Sequence, residues 1–120
     1  AEFARGLLAA TGVLAVGLAT DLLSHAVDIG QRLDLQTSEH LGVLRLAAFH
    51  AFAFERDPCK SERLHKQCLE LRLKHCGTWH HPDVAESLGD CGFLCYVTGD
   101  LNPAESMLRT AVGVWRQLLD

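Results

Sequence analysis

Four candidate metal ligands fall within seven residues, His75, Cys76, His80 and His81. Cys91 and Cys95 follow, four residues apart and so on one side of a helix. Imidazole nitrogen and thiolate sulfur are donors that zinc takes, and zinc motifs commonly set one ligand pair at each end of a loop. Here both halves would come from a single linker, with Cys91 and Cys95 as the sulfurs that could join them. A thiol enzyme needs a cysteine beside a histidine base and a third, orienting group. Cys76, between His75 and Gly77, is the best-placed candidate, and no other feature supports it. The chain has no phosphate-cradling glycine loop, no H-E-x-x-H and no G-x-S-x-G. The expectation is no catalytic residue, no cofactor and no metal. The cysteines read as small packed hydrophobes, the histidines as surface groups, and His65 as a half-buried structural histidine. A helical zinc- or thiol-dependent module built on His75, Cys76, His80, His81, Cys91 and Cys95 stands as the alternative.

The elements around these residues follow from composition and pattern. The chain has 120 residues, 48% of them hydrophobic and 22% charged, which suits one soluble domain with a core of its own. A net charge of -4 and no basic run argue against nucleic acid as a partner. Five cysteines, an odd number set mostly inside apolar helical patterns, argue for reduced thiols and a cytoplasmic setting. The fourteen uncharged residues 6–19 are shorter than the roughly 20 that a membrane span needs. They have the size of a signal-peptide core, but the apolar pattern continues past them, so a buried helix and no membrane are expected.

Helices dominate the reading. Leu108, Ala111, Val112, Trp115, Leu118 and Leu119 share one helical face. Asn102 is placed to cap that helix, with Pro103 at its first position. Pro82 opens an earlier helix, Asp83 and Glu86 suit its positive end, and Gly99 stops it. The two make a hairpin, and a similar pattern recurs: "AVDIGQRL" from Ala26, "CLELRLKH" from Cys68 and "AVGVWRQL" from Ala111, after 42 and 43 residues. Ala19, Leu23 and Ala26, then Ser61, His65 and Cys68, then Ala104, Leu108 and Ala111 share one spacing. Three hairpin units are expected, over residues 1–34, 38–76 and 82–120, stacked as an array.

Leu88-x2-Cys91-Gly92-x2-Cys95 followed by Ala104-x3-Leu108 resembles the tetratricopeptide pattern W-x2-L-G-x2-Y…A-x3-F, with Leu88, Cys91 and Cys95 at the tryptophan, leucine and tyrosine places. The longer spacing and the linker "KHCGTWHHPDVAESL" resemble the kinesin-light-chain subtype of that family. The middle unit matches in its second helix only, with Phe49 at the place of the glycine. The resemblance implies an all-α, right-handed solenoid of antiparallel hairpins and a non-enzymatic scaffold that binds a protein or peptide on its concave face. On this register that face holds Val43, Leu46, His50 and Phe54 in the middle unit and Glu86, Asp90, Phe93 and Tyr96 in the last. The apolar stripe of the final helix, with no polar helix after it, further suggests a piece of a longer array or a chain that self-associates end to end.

Overall fold

The computed structural model describes the backbone of residues 2–119 and the side-chain surroundings of residues 5–6 and 12–119. Among these residues the protein is all-helical: α1 Glu2–Arg32, α2 Ser38–Ala53, α3 Pro58–Cys76, α4 Pro82–Val97 and α5 Leu101–Leu119. Each helix packs on its neighbours in the chain, α1 on α2, α2 on α3, α3 on α4 and α4 on α5, and among the described residues no other pair meets through its backbone. The result is long, 54 × 35 × 26 Å, with its core strung along the row of helices. One apolar cluster joins Val27, Leu41, Leu44, Ala47, Leu64 and Cys68; another joins Val84, Leu88 and Ala111.

The boundaries have local causes. Thr37 accepts the His40 N–H at the head of α2, and Asp57 accepts the Lys60 N–H at the head of α3, where Pro58 has no N–H that needs an acceptor. Gly77 ends α3 with φ 69° and Gly99 follows α4 with φ 88°, left-handed conformations that glycine adopts without strain. At α4 the cap is an imidazole: His81 Nδ1 accepts the Asp83 N–H at 3.1 Å, and Pro82 follows the cap. α5 starts earlier than the sequence suggests, at Leu101 rather than after Asn102. Pro103 therefore lies third in the helix. Its missing N–H is harmless there, because first-turn donors have no intrahelical acceptor.

The N-terminal unit departs from expectation. Residues 1–34 do not form a hairpin, because α1 runs unbroken from Glu2 to Arg32. No glycine-proline punctuation interrupts it, and isolated glycines at 12 and 17 do not break a helix. Nor is the opening stretch buried. Val13, Leu14, Leu18 and Leu22 stand exposed, while residues 7–11 lie outside the described side chains. Among the described residues of α1 one edge is covered, along Ala19, Leu23, Val27 and Gly30. At its end the His40 ring of α2 packs where a Cβ on Gly30 would sit. By length and composition alone the 21 residues Gly12–Arg32 could cross a membrane, a longer stretch than the fourteen considered from the sequence.

The two hairpins α2–α3 and α4–α5 repeat one pattern of buried first-helix positions. Shifted by 44 residues, the offset from Ser38 to Pro82, all seven buried positions of α2 fall on buried positions of α4. The offset from Pro58 to Leu101 is only 43. The difference is one extra residue in the first hairpin turn, Phe54–Asp57 against Thr98–Asp100, where Arg56 takes a left-handed φ of 53°. The residue of α2 at the place of Gly92 is thus Ala48, fully buried, and not Phe49. Small residues allow close approach in both hairpins. Ser61 Oγ donates to the Ala48 carbonyl at 2.7 Å, and a Cβ on Gly92 would lie 2.8 Å from Leu108 Cγ.

Candidate protein-binding face

The exposed side of α2 follows from the same shift. The positions that answer Glu86, Asp90, Phe93 and Tyr96 are Gly42, Leu46, Phe49 and Phe52, and all four are exposed. Leu46 is 58% exposed, Phe93 54% and Tyr96 60%, so each hairpin offers large apolar side chains on this side. Of the residues read from the sequence, Leu46, Phe93 and Tyr96 are on open surface. Val43 is not: it is half-buried and packs against the core cluster. His50 is not either. It is buried, with Nε2 2.7 Å from Thr20 Oγ1 of α1. The same Thr20 hydroxyl lies 2.9 Å from the Val16 carbonyl of its own helix. Phe54 is exposed but lies at the C-cap of α2, tilted against the His50 ring at 5.2 Å. The one-residue slip explains these displacements together.

Glu86 and Asp90 are engaged within the chain. Arg45 of α2 grips Asp90 of α4 with two hydrogen bonds, Nε to Oδ2 at 2.7 Å and Nη2 to Oδ1 at 3.3 Å. Arg45 also approaches Glu86 Oε1 at 3.3 Å and lies over the Phe49 ring, 5.0 Å from its centre. Such a fork fixes orientation as well as adding energy, about 1 kcal/mol for a pair this exposed. Arg45 ties α2 to α4 beside Leu46 and Phe49 on one helix and Phe93 on the other. The face is acidic groups held by an arginine, flanked by open apolar side chains.

Beneath it runs a second polar chain. Arg72, buried on α3, donates Nη1 to Ser87 Oγ at 2.9 Å, to the Asp83 carbonyl at 3.0 Å and to Glu86 Oε1 at 3.0 Å. Ser87 in turn donates to Cys68 Sγ, and the Cys68 thiol to the Leu41 carbonyl. Both arginines escaped the sequence reading. Arg45 left a signal, since it is the only charged residue between Glu39 and Glu55. Arg72 left none among the other charges of α3.

All five cysteines carry free thiols. Cys68, Cys91 and Cys95 are buried in helix contacts, and burial raises each thiol's pKa, that of Cys91 to about 12. Cys76 is half-buried and also raised, first by burial and then by Asp83. Of the linker cluster the structure brings Cys76 to His81, with Asp83 as the third member, all three donor atoms within 4.8 Å of one another. His75, His80, Cys91 and Cys95 are not in that group. Cysteine, histidine and aspartate are also the parts of a thiol triad. Here no hydrogen bond joins Cys76 to the imidazole, and His81 Nδ1 lies 3.9 Å from Asp83 Oδ2 while capping α4. A raised thiol without a base is a poor nucleophile. His65 is buried deeper than expected, edge-on to Phe49 at 4.9 Å, and burial lowers its pKa.

No family model matches the chain, and no curated protein does.

Proposed function

We propose that the chain is a tetratricopeptide-like helical-repeat segment that binds a protein partner, as a non-enzymatic scaffold of the cytoplasm. The observation that carries this reading is the coincidence of α2 and α4 at a 44-residue shift: all seven buried positions of α2 fall on buried positions of α4, and five of its seven exposed positions fall on exposed ones. A helix that repeats its buried face packs on its neighbours in the same way, and its open face then recurs on one side of the array. α1, α3 and α5 take the role of second helices, and α2 and α4 that of first helices. The binding face is Leu46, Phe49 and Phe52 with Phe93 and Tyr96. Aromatic anchors set in a rigid row accept an amphipathic helix or extended peptide with little entropy to lose. Asp90 and Glu86 are neutralised by Arg45 and Arg72, so the face offers a partner apolar anchors rather than a free charge.

Selection of displayed peptides on the isolated chain tests this. Selected peptides should lose about 30-fold or more in affinity to a Phe93→Ala, Tyr96→Ala double variant, the effect of losing a central aromatic anchor. Arg109→Glu on the exposed side of α5 should leave them unaffected. Peptides that depend on Arg109 and ignore Phe93 and Tyr96 would place binding elsewhere and defeat the proposal.

A further inference from the structure

We infer that Cys76, His81 and Asp83 form a metal-binding staple across the α3–α4 junction, for a divalent cation of the zinc type. The donor set is one sulfur, one imidazole nitrogen and one carboxylate oxygen, each a known zinc ligand type. In a tetrahedral site with bonds of roughly 2.0–2.3 Å, donors stand roughly 3.3–3.8 Å apart. The three here already lie within 4.8 Å, so closure takes shifts of about 1 Å. Asp83 is exposed and His81 half-buried, and each can make that shift by side-chain rotation. Two negative donors, a thiolate and a carboxylate, match the charge of the cation. The thiol proton leaves to solvent when sulfur binds.

The backbone already holds the donors in place. Cys76 is the last residue of α3, and the left-handed Gly77, whose N–H returns to the Leu73 carbonyl at 2.8 Å, turns the chain behind it. The His80 N–H donates to Thr78 Oγ1 at 3.1 Å within the turn, and His81 and Asp83 sit on the rigid start of α4 around Pro82. Little chain entropy remains to be lost on binding. Three protein ligands leave the fourth position to water. The staple would fix the angle between successive hairpins, on the side of α4 opposite its link to α5. Nδ1 of His81 is the atom that faces Asp83, so metal competes with the Asp83 N–H for it unless the ring turns to present Nε2.

Titration of the full chain with Co2+ reads the sulfur ligand directly, through thiolate-to-metal charge-transfer absorption. One equivalent should bind with that band, and Zn2+ should displace it. Cys76→Ser should abolish the band, whereas Cys59→Ser, at an exposed thiol, should keep it. Asp83→Asn and His81→Gln should each weaken binding at least about tenfold, the scale of losing one contributor to a metal site. Helix content measured alongside separates loss of metal from loss of fold, and Asp83→Asn leaves the imidazole cap intact. A His75→Ala, His80→Ala double variant should bind as the parent does. The inference is overturned by a band that survives Cys76→Ser, by no band at all, or by binding that follows His75 and His80 instead of His81 and Asp83.

Discussion

Gly92 of α4 meets Leu108 of α5 so closely that a Cβ on the glycine would stand 2.8 Å from Leu108 Cγ and 3.2 Å from Met107 Cβ. Gly89, one turn earlier on the same helix, has nothing within 4 Å of its missing Cβ. The two glycines therefore respond oppositely to a side chain. Gly89→Ala should stabilise by about 0.5–1 kcal/mol, through reduced backbone entropy of the unfolded chain. Gly92→Leu should destabilise by about 1–3 kcal/mol through overpacking. Urea denaturation of both variants checks the pair, and equal responses would show that the α4–α5 contact is misplaced.

Arg72 ties α3 to the first turns of α4 through Asp83, Glu86 and Ser87. Arg72→Met keeps the stem and removes the donors. The Ser87 hydroxyl lies in the buried interface, whereas Glu86 reaches water, so the loss should be about 1–3 kcal/mol. Hydrogen exchange should locate the weakening at the head of α4, with the α2–α3 contact protected as before.

His65 sets a pH dependence. Burial holds its pKa below the ordinary histidine value; nearby Asp90 pushes it back up without reversing the direction, and Arg45 lowers it further. The unfolded chain thus takes up the proton first as pH falls. His65 leaves stability undiminished above pH of about 6.5 and reduces it as the pH drops below that towards the lower folded value. Denaturation midpoints at several values between pH 7.5 and 5 should fall, and the fall should flatten in His65→Leu. Leucine stands at the matching position 108 of α5, so the site suits it.

Thiol reactivity ranks by exposure. Cys59 is exposed and should label first with iodoacetamide, and half-buried Cys76 second. Cys91, raised to about 12 by burial, Asp90 and Cys95 in that order, should label only on unfolding. Peptide mapping by mass spectrometry resolves the order. Early labelling of Cys91 would mean that the α4–α5 hairpin opens far below the global unfolding free energy.

The sequence by itself determined the helical class and the α4–α5 hairpin. Each rests on local chemistry: Pro82 after its cap, Gly77 and Gly99 at helix ends, and a one-sided apolar stripe on α5. The face of α2 was decided only in three dimensions. Its residues are apolar on nearly every side, so a one-residue slip leaves no trace in the pattern. Contact with α1 and α3 chose His50 and Ala48 for the interior and Phe49 for the surface, and the longer turn Phe54–Asp57 absorbed the difference. The unbroken α1 likewise lacks the local signal that a turn requires. Asp83 joined Cys76 and His81 for a spatial reason, because the turn after Gly77 folds the head of α4 back beside the end of α3. Arg45 and Asp90, 45 residues apart, met through packing alone, since electrostatic pairing across helices is invisible until the helices are set side by side.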